Sequence, residues 1–185
     1  CGQMFPGVGD DPSKVFLPDF TWLLQHKSRV EGVVLTHGHE DHIGGIPYLL
    51  RDLPLSVYGS EFSLALLGRK VDSKNTRPAK LTKIIDGERR RIGPFDVEVM
   101  PVTHSMPQTF ASALHTPQGV VLHSGDFKID LDPVDKRRTD LARLGSIAAN
   151  EGVRLLLLDS TNAEEPGYSA SESVIGRSLR SVFVE

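Results

Sequence analysis

At 185 residues the chain is long enough for one ordinary domain with a sizeable core. Its 24 acidic and 21 basic residues give a net charge of −3, which excludes a uniformly basic nucleic-acid coat but allows a local phosphate site built on metal ions. One cysteine excludes an internal disulfide and points to a reducing cytoplasm, and no apolar stretch nears the ~20 residues of a membrane span, so no membrane partner is expected.

The chain opens at Cys1, read here as a small buried residue at a strand end, and stops inside the apolar run Val182-Phe183-Val184, so a portion of a longer protein is expected. Gly2, Pro6, Gly7, Gly9, Pro12 and Pro18 mark the stretch to Asp19 as loop, anchored by Phe5, Val15, Phe16 and Leu17. A short helix is predicted within Asp19 to Lys27, with His26 on its solvent side.

The apolar run Val33-Val34-Leu35 reads as a buried strand, and it delivers Thr36-His37-Gly38-His39-Glu40-Asp41-His42-Ile43-Gly44-Gly45. In an extended segment His37 and His39 share a face and can meet one cation, while Gly38 lets the backbone turn. Asp41 and His42 lie beyond that turn, where they can reach a second cation. Two imidazoles suit zinc, and a carboxylate with a third imidazole suits a second zinc, manganese or iron. A loop then enters a short helix through Leu50.

Leu55 to Gly59 alternates as a strand, Ser60 is a candidate N-cap, and Glu61 to Leu67 carries amphipathic helical spacing, which makes an α/β rhythm. Leu81 to Ile85 is a further strand, closed by the turn signal Asp86-Gly87. Arg89-Arg90-Arg91 is read as a solvated edge rather than an RNA contact. Phe95 to Val99 alternates and leads to His104 just past a strand end, the same setting as His37. His104 is therefore the natural third imidazole for the ion of His37 and His39.

Ala111 to Thr116 and Val120 to His123 form a predicted hairpin through Pro117-Gln118-Gly119. It ends at Asp126, whose carboxylate, beside Gly125, can approach two cations closely. His115 and His123 are assigned to packing or hydrogen bonds. Lys136-Arg137-Arg138 reads as solvated, and Leu141 to Ala149 as a helix. Val153 to Leu158 is continuous enough for a strand buried on both faces, and it delivers Asp159, which can equally cap a turn. Ser169-Ala170-Ser171-Glu172 opens a further helix with a capping pattern.

The pattern His37-x-His39-x-Asp41-His42 after a strand resembles the signature of the metallo-β-lactamase superfamily, whose members are mostly binuclear metallohydrolases. His104-Ser105-Met106-Pro107, His123-Ser124-Gly125-Asp126-Phe127-Lys128, and Leu157-Leu158-Asp159-Ser160-Thr161-Asn162-Ala163-Glu164 with Pro166-Gly167 and Ser171-Glu172 narrow it, because they resemble the ribonuclease J family.

The resemblance implies an α/β fold, a partial αββα-type sandwich over residues 1–165 truncated at its start, with a beta-CASP insertion beginning at residues 166–185. It implies two divalent ions, zinc with manganese as the alternative: one on His37, His39, His104 and Asp126, the other on Asp41, His42 and the bridging Asp126, with a further histidine beyond this chain. Asp41 is implied to orient the nucleophilic water, and Asp159 matches the first beta-CASP acidic motif.

The implied activity is hydrolysis of RNA phosphodiester bonds by a metal-activated hydroxide, from the 5′ end and internally. RNA is the implied partner, and the full-length family members form homo-oligomers. The beta-CASP histidines, one of which is implied to protonate the leaving oxygen, are not in this chain. Gln108 stands where the family pattern leads us to expect an acidic residue. The rival expectations are a thioester or lactam hydrolase of the same superfamily, and a catalytically incomplete metal-binding fragment.

Overall fold

A computed structural model describes residues 1–11, 13–74, 76 and 80–184; Pro12, read with the opening loop, and Glu185, in the stretch expected to begin the insertion, lie outside the described residues. The chain divides into two units, Cys1–Ile85 with Ile92–Pro94, and Asp86–Arg91 with Phe95–Glu185.

In the first unit the helix α1 (Thr21–Gln25) starts where the Asp19 carboxylate accepts the Thr21 N–H at 2.9 Å. His26, predicted on the solvent side, stacks on Trp22 at 4.3 Å between ring centroids. Strands β1 (Val33–Val34), β2 (Val57–Gly59) and β3 (Leu81–Lys83) pair in parallel in the order β1-β2-β3. Parallel neighbours need crossovers. Helices α2 (Glu40–Ile43) and α3 (Ile46–Asp52) make the first, and α4 (Glu61–Ser73) the second.

Ser60 caps α4 as expected, its hydroxyl accepting the Ser63 N–H at 3.3 Å and so satisfying one of the donors a helix start leaves unpaired. Leu64, Leu67 and Val71 recur at helical spacing and bury one face of α4 among Leu35, Ile46, Leu49, Leu50 and Val57. This core fixes the end of β1, and with it the histidine stretch that follows.

The second unit holds a sheet in the order β4-β5-β6-β7-β8: Arg89–Ile92, Phe95–Pro101, Phe110–Thr116, Gly119–His123 and Val153–Leu157. The β5, β6 and β7 pairings are antiparallel and β8 joins β7 in parallel. The predicted hairpin turn is closed by the Thr116 hydroxyl donating to the Gly119 carbonyl at 2.6 Å, with Gly119 at φ +112°. Met100, Val102, Ala111, Ala113, Val120, Leu122 and Ile147 form the core of this unit.

Helix α5 (Leu141–Ser146), capped by the Asp140 carboxylate on the Arg143 N–H at 2.9 Å, widens into a π-helical turn over Ile147–Glu151. The helix predicted through Ala149 is thus present, but its last turn is wider. That turn ends at Gly152 (φ +76°) and carries Glu151 back to the sheet.

There a polar cluster crosses the sheet face. The Arg143 guanidinium donates to both Glu98 oxygens at 2.6 and 2.8 Å and to Glu151 at 2.9 Å. The His115 ring meets Glu98 through Nε2 and Glu151 through Nδ1, both at 2.8 Å. Burial alone would make Glu98 costly, so its pairing is a condition of this fold.

The 3₁₀ turn Glu172–Val174 and helix α6 (Ile175–Val184) follow Ser171, whose hydroxyl accepts the Ser173 N–H at 3.2 Å, as the capping pattern predicted. Among the described residues no helix is long and apolar enough to cross a membrane.

Two expectations are corrected. Cys1 is exposed and outside any strand, because its backbone serves a different contact, accepting the Gly45 N–H at 3.0 Å. Strand β8 is not buried on both faces: it is the edge strand beside β7, and Leu155 and Leu156, on opposite faces, are 49% and 48% exposed. A continuous apolar run records what its residues prefer, whereas coverage depends on what packs over them. The arginine run, read as a solvated edge, is the edge strand β4, with Arg89 on Asp96 and Arg90 on Glu88.

Candidate functional site

In the first unit the Leu35 N–H donates to the Tyr58 carbonyl at 2.8 Å, which pins the chain one residue before the site begins. His37 is fully buried, and the Thr36 hydroxyl bonds its Nδ1 at 3.1 Å, so Nε2 is the nitrogen aimed at His39. His37 Nε2 and His39 Nδ1 lie 3.0 Å apart, with the rings edge to face. The shared face expected from alternation is therefore present.

The backbone then turns at once. The His39 carbonyl accepts the N–H groups of His42 and Ile43, both at 3.0 Å, and starts the single turn of α2. This folds His42 back until its ring lies 4.0 Å from that of His37, and Asp41 stands beside it with Oδ2 3.6 Å from His42 Nε2.

The glycines after the histidines have a packing reason. A Cβ on Gly45 would lie 2.5 Å from the Gly2 carbonyl oxygen and 2.8 Å from that of Cys1. Gly45→Ala is therefore expected to displace the N-terminal segment at Cys1 and Gly2 and to cost about 1–3 kcal/mol, read as a lower midpoint in urea.

In the second unit the Lys128 N–H donates to the Thr103 carbonyl at 2.8 Å. That bridge sets the segments bearing His104 and Asp126 abreast, with His104 Nε2 3.8 Å from Asp126 Oδ2. Asp126 follows a turn at Gly125 (φ +61°), whose N–H donates to His123 Nδ1 at 3.1 Å. His115 and His123 thus serve hydrogen bonding in this unit, as predicted.

Asp159 does two jobs, including the bland one. Its carboxylate caps a turn through the Thr161 N–H at 2.9 Å and also accepts the Phe127 N–H at 3.4 Å, next to Asp126, while its own N–H donates to the Ser124 hydroxyl at 2.9 Å. Burial pushes the Asp159 carboxyl up, but the Thr161 and Phe127 bonds outweigh it and hold it below the usual range.

Gln108 stands at φ +56°. Asp and Asn tolerate this left-handed region better than Gln, so the departure noted in the sequence has a backbone cost. Gln108→Asn is expected to stabilise the chain by about 0.5–1 kcal/mol, visible as a rise in Tm of a few degrees.

A cavity of 720 Å³ in this unit is lined by His104, Asp126, Lys128, Asp159, Asn162 and Tyr168, among others. Lys128 and Tyr168 were not singled out as site residues from the sequence. For Lys128 the signal was available, since it stands two positions after Asp126. Tyr168 has no such spacing.

The donor chemistry suits divalent ions within each unit. Nitrogens 3.0 Å apart, as on His37 and His39, can share an ion at the ~2.0–2.1 Å of a zinc–imidazole bond with little adjustment. The second unit supplies a further imidazole and a carboxylate, ligand types of the same borderline class.

This chain belongs to the metallo-β-lactamase superfamily: the profile of that superfamily matches residues 6–162, and the two sheets with their helices have its fold. Within it, the chain is similar to ribonuclease J. It is 43% identical to ribonuclease J of Corynebacterium glutamicum over 183 residues, which are 97% of this chain and 25% of that protein. Identity to ribonuclease J of Mycobacterium tuberculosis H37Rv is 43% over 180 residues, 97% of this chain and 32% of the relative. The chain therefore spans about a quarter to a third of the length of these relatives.

Among solved structures, Zn²⁺-bound PqqB from Methylobacterium extorquens superposes with a TM-score of 0.55 at 18% identity, covering 83% of this chain and 60% of the other. The short form of human tRNase Z superposes with a TM-score of 0.53 at 18% identity, covering 85% and 71%. At such identities these two speak for the fold alone.

Proposed function

We propose that the protein is a metal-dependent ribonuclease of the ribonuclease J type, hydrolysing RNA phosphodiester bonds. The observation that carries this is the buried His37 Nε2 facing His39 Nδ1 at 3.0 Å, in a chain 43% identical to a ribonuclease J over nearly its whole length. His37, His39, His104 and Asp126 are proposed to hold one divalent ion, and Asp41, His42 and Asp126 a second, completed by a histidine from elsewhere. Zinc is the ion we favour, with manganese the alternative, since imidazole suits both but zinc better.

Divalent ions at such a centre supply Lewis acidity, making water a hydroxide nucleophile near pH 7 and offsetting charge on the phosphoryl oxygens. The residues do the placing. The Thr36 hydroxyl on His37 Nδ1 fixes which ring nitrogen is presented. Asp41, on its one-turn helix, keeps one carboxylate oxygen for orienting the attacking water. Asp159 holds the backbone at Phe127 and so steadies the approach of Asp126.

Residues 1–165 are assigned to the metallo-β-lactamase domain and residues 166–185 to the start of a beta-CASP insertion. We further propose attack from the 5′ end and internally, a cytoplasmic setting consistent with the single cysteine, and assembly of the whole protein into homo-oligomers.

The test is metal content per chain, together with cleavage of a 5′-phosphorylated RNA before and after chelation and on restoring zinc or manganese. Bound divalent ion and cleavage that chelation removes are expected. Bound ion with hydrolysis of a thioester or a lactam, and none of RNA, would replace the nuclease reading with the rival one. No bound ion would leave the chain a catalytically incomplete fragment.

A further inference from the structure

We infer that Tyr168 is a base-stacking residue for single-stranded RNA, holding one nucleobase at the cavity that contains His104 and Asp126. The inference rests on the reading of those two residues as part of the hydrolytic centre.

The first observation is exposure. Tyr168 is fully exposed although it is a large aromatic, and it lines the 720 Å³ cavity that His104, Asp126 and Asp159 also line. It follows Gly167, whose φ of +112° sets the backbone in a conformation that side-chain-bearing residues rarely adopt. A fully exposed phenol ring on a residue that lines the cavity has both faces open to a ligand.

The second observation is charge. The cavity lining carries four carboxylates, Asp126, Asp159, Glu165 and Glu172, against the single ammonium of Lys128. That ammonium is already engaged, bonded to Glu172 and to the Ala170 carbonyl at 3.0 Å. This wall cannot attract a phosphate backbone through its own side chains, and the ions proposed for the centre would serve the scissile phosphate alone. An RNA strand lying here must take its remaining hold from a neutral group. Stacking of a base on an aromatic ring supplies about 1–3 kcal/mol per base and is indifferent to which base it is.

Lys128 has a supporting role. Its bonds to Ala170 and Glu172 tie the loop carrying Tyr168 to the segment that follows Asp126. The backbone two residues after Tyr168 is thus anchored to the segment that follows Asp126.

The expected behaviour separates this residue from a structural one. Full-length chain with Tyr168→Ala and Tyr168→Phe is titrated with fluorescein-labelled decauridylate in a chelating buffer, so that binding is read apart from cleavage. Tyr168→Ala is expected to weaken binding by roughly 5- to 150-fold, and Tyr168→Phe to bind within about twofold of the wild type. With metal restored, Tyr168→Ala is expected to raise KM for 5′-phosphorylated RNA by a similar factor and to leave kcat within about twofold.

Because the side chain is exposed, Tm is expected to be the same in all three proteins. Equal affinity of Tyr168→Ala and wild type overturns the inference, as does a wild type that does not bind decauridylate. A chain that binds through Tyr168 in chelator but neither holds metal nor cleaves RNA removes the proposed nuclease function instead.

Discussion

His39→Ala is expected to lower the metal bound per chain and to reduce RNA cleavage by about 10³-fold or more, since a divalent centre is worth several kcal/mol to the transition state. His39 is the informative ligand to remove. It is partly exposed, whereas His37 is fully buried and its loss would disturb packing as well as ligation. His39 also acts through its backbone carbonyl, which starts α2, and alanine keeps that carbonyl. The expected result is thus a chain with nearly wild-type Tm in chelating buffer, poor in metal and inactive. Full metal content with full cleavage in His39→Ala would refute the ligand assignment.

Arg143→Met is expected to have the largest effect on stability. The Glu98 side chain is only 7% exposed, and the guanidinium supplies its bonds at 2.6 and 2.8 Å. Removing one partner of a buried pair leaves the other charge desolvated, at a cost of about 3 kcal/mol here, since Arg143 itself is partly exposed. For a chain of this length that lowers Tm by about 6–12 °C. Arg143→Met combined with Glu98→Gln should recover part of the loss, because the stranded charge is then gone.

The same pair sets a pH dependence. The Arg143 bonds hold the Glu98 carboxyl below the usual range, against the upward push of burial and with help from His115. A group with a depressed folded pKa contributes stability above its unfolded value, near ~4.3 for Glu, and that contribution is lost as pH falls through the folded value. Wild-type Tm should therefore fall on acidification below about pH 4, and the fall should be shallower in Arg143→Met. Equal slopes in the two proteins would show that Glu98 titrates independently of Arg143.

The site was legible in the sequence where its residues are neighbours in the chain. His37, His39, Asp41 and His42 fall within six positions after a strand, and their geometry follows from alternation along the strand and one turn of helix. His104 and Asp126 were legible as residues at strand ends. Their separation of 3.8 Å was not, since it depends on the bridge between Thr103 and Lys128.

By itself the sequence determined the strand and helix order apart from β4, the cap at Ser60, the hairpin at Pro117-Gln118 and the cluster of ligand-type residues, all of which depend on local propensity and periodicity. Tertiary structure alone decided the Glu98, Arg143, His115 and Glu151 cluster, the exposure of the β8 leucines, and the setting of Tyr168 at the cavity with His104 and Asp126. The physical reason is common to these three. Pattern along a chain says which face of an element is apolar or charged, whereas pairing and burial are properties of what distant segments bring to that face.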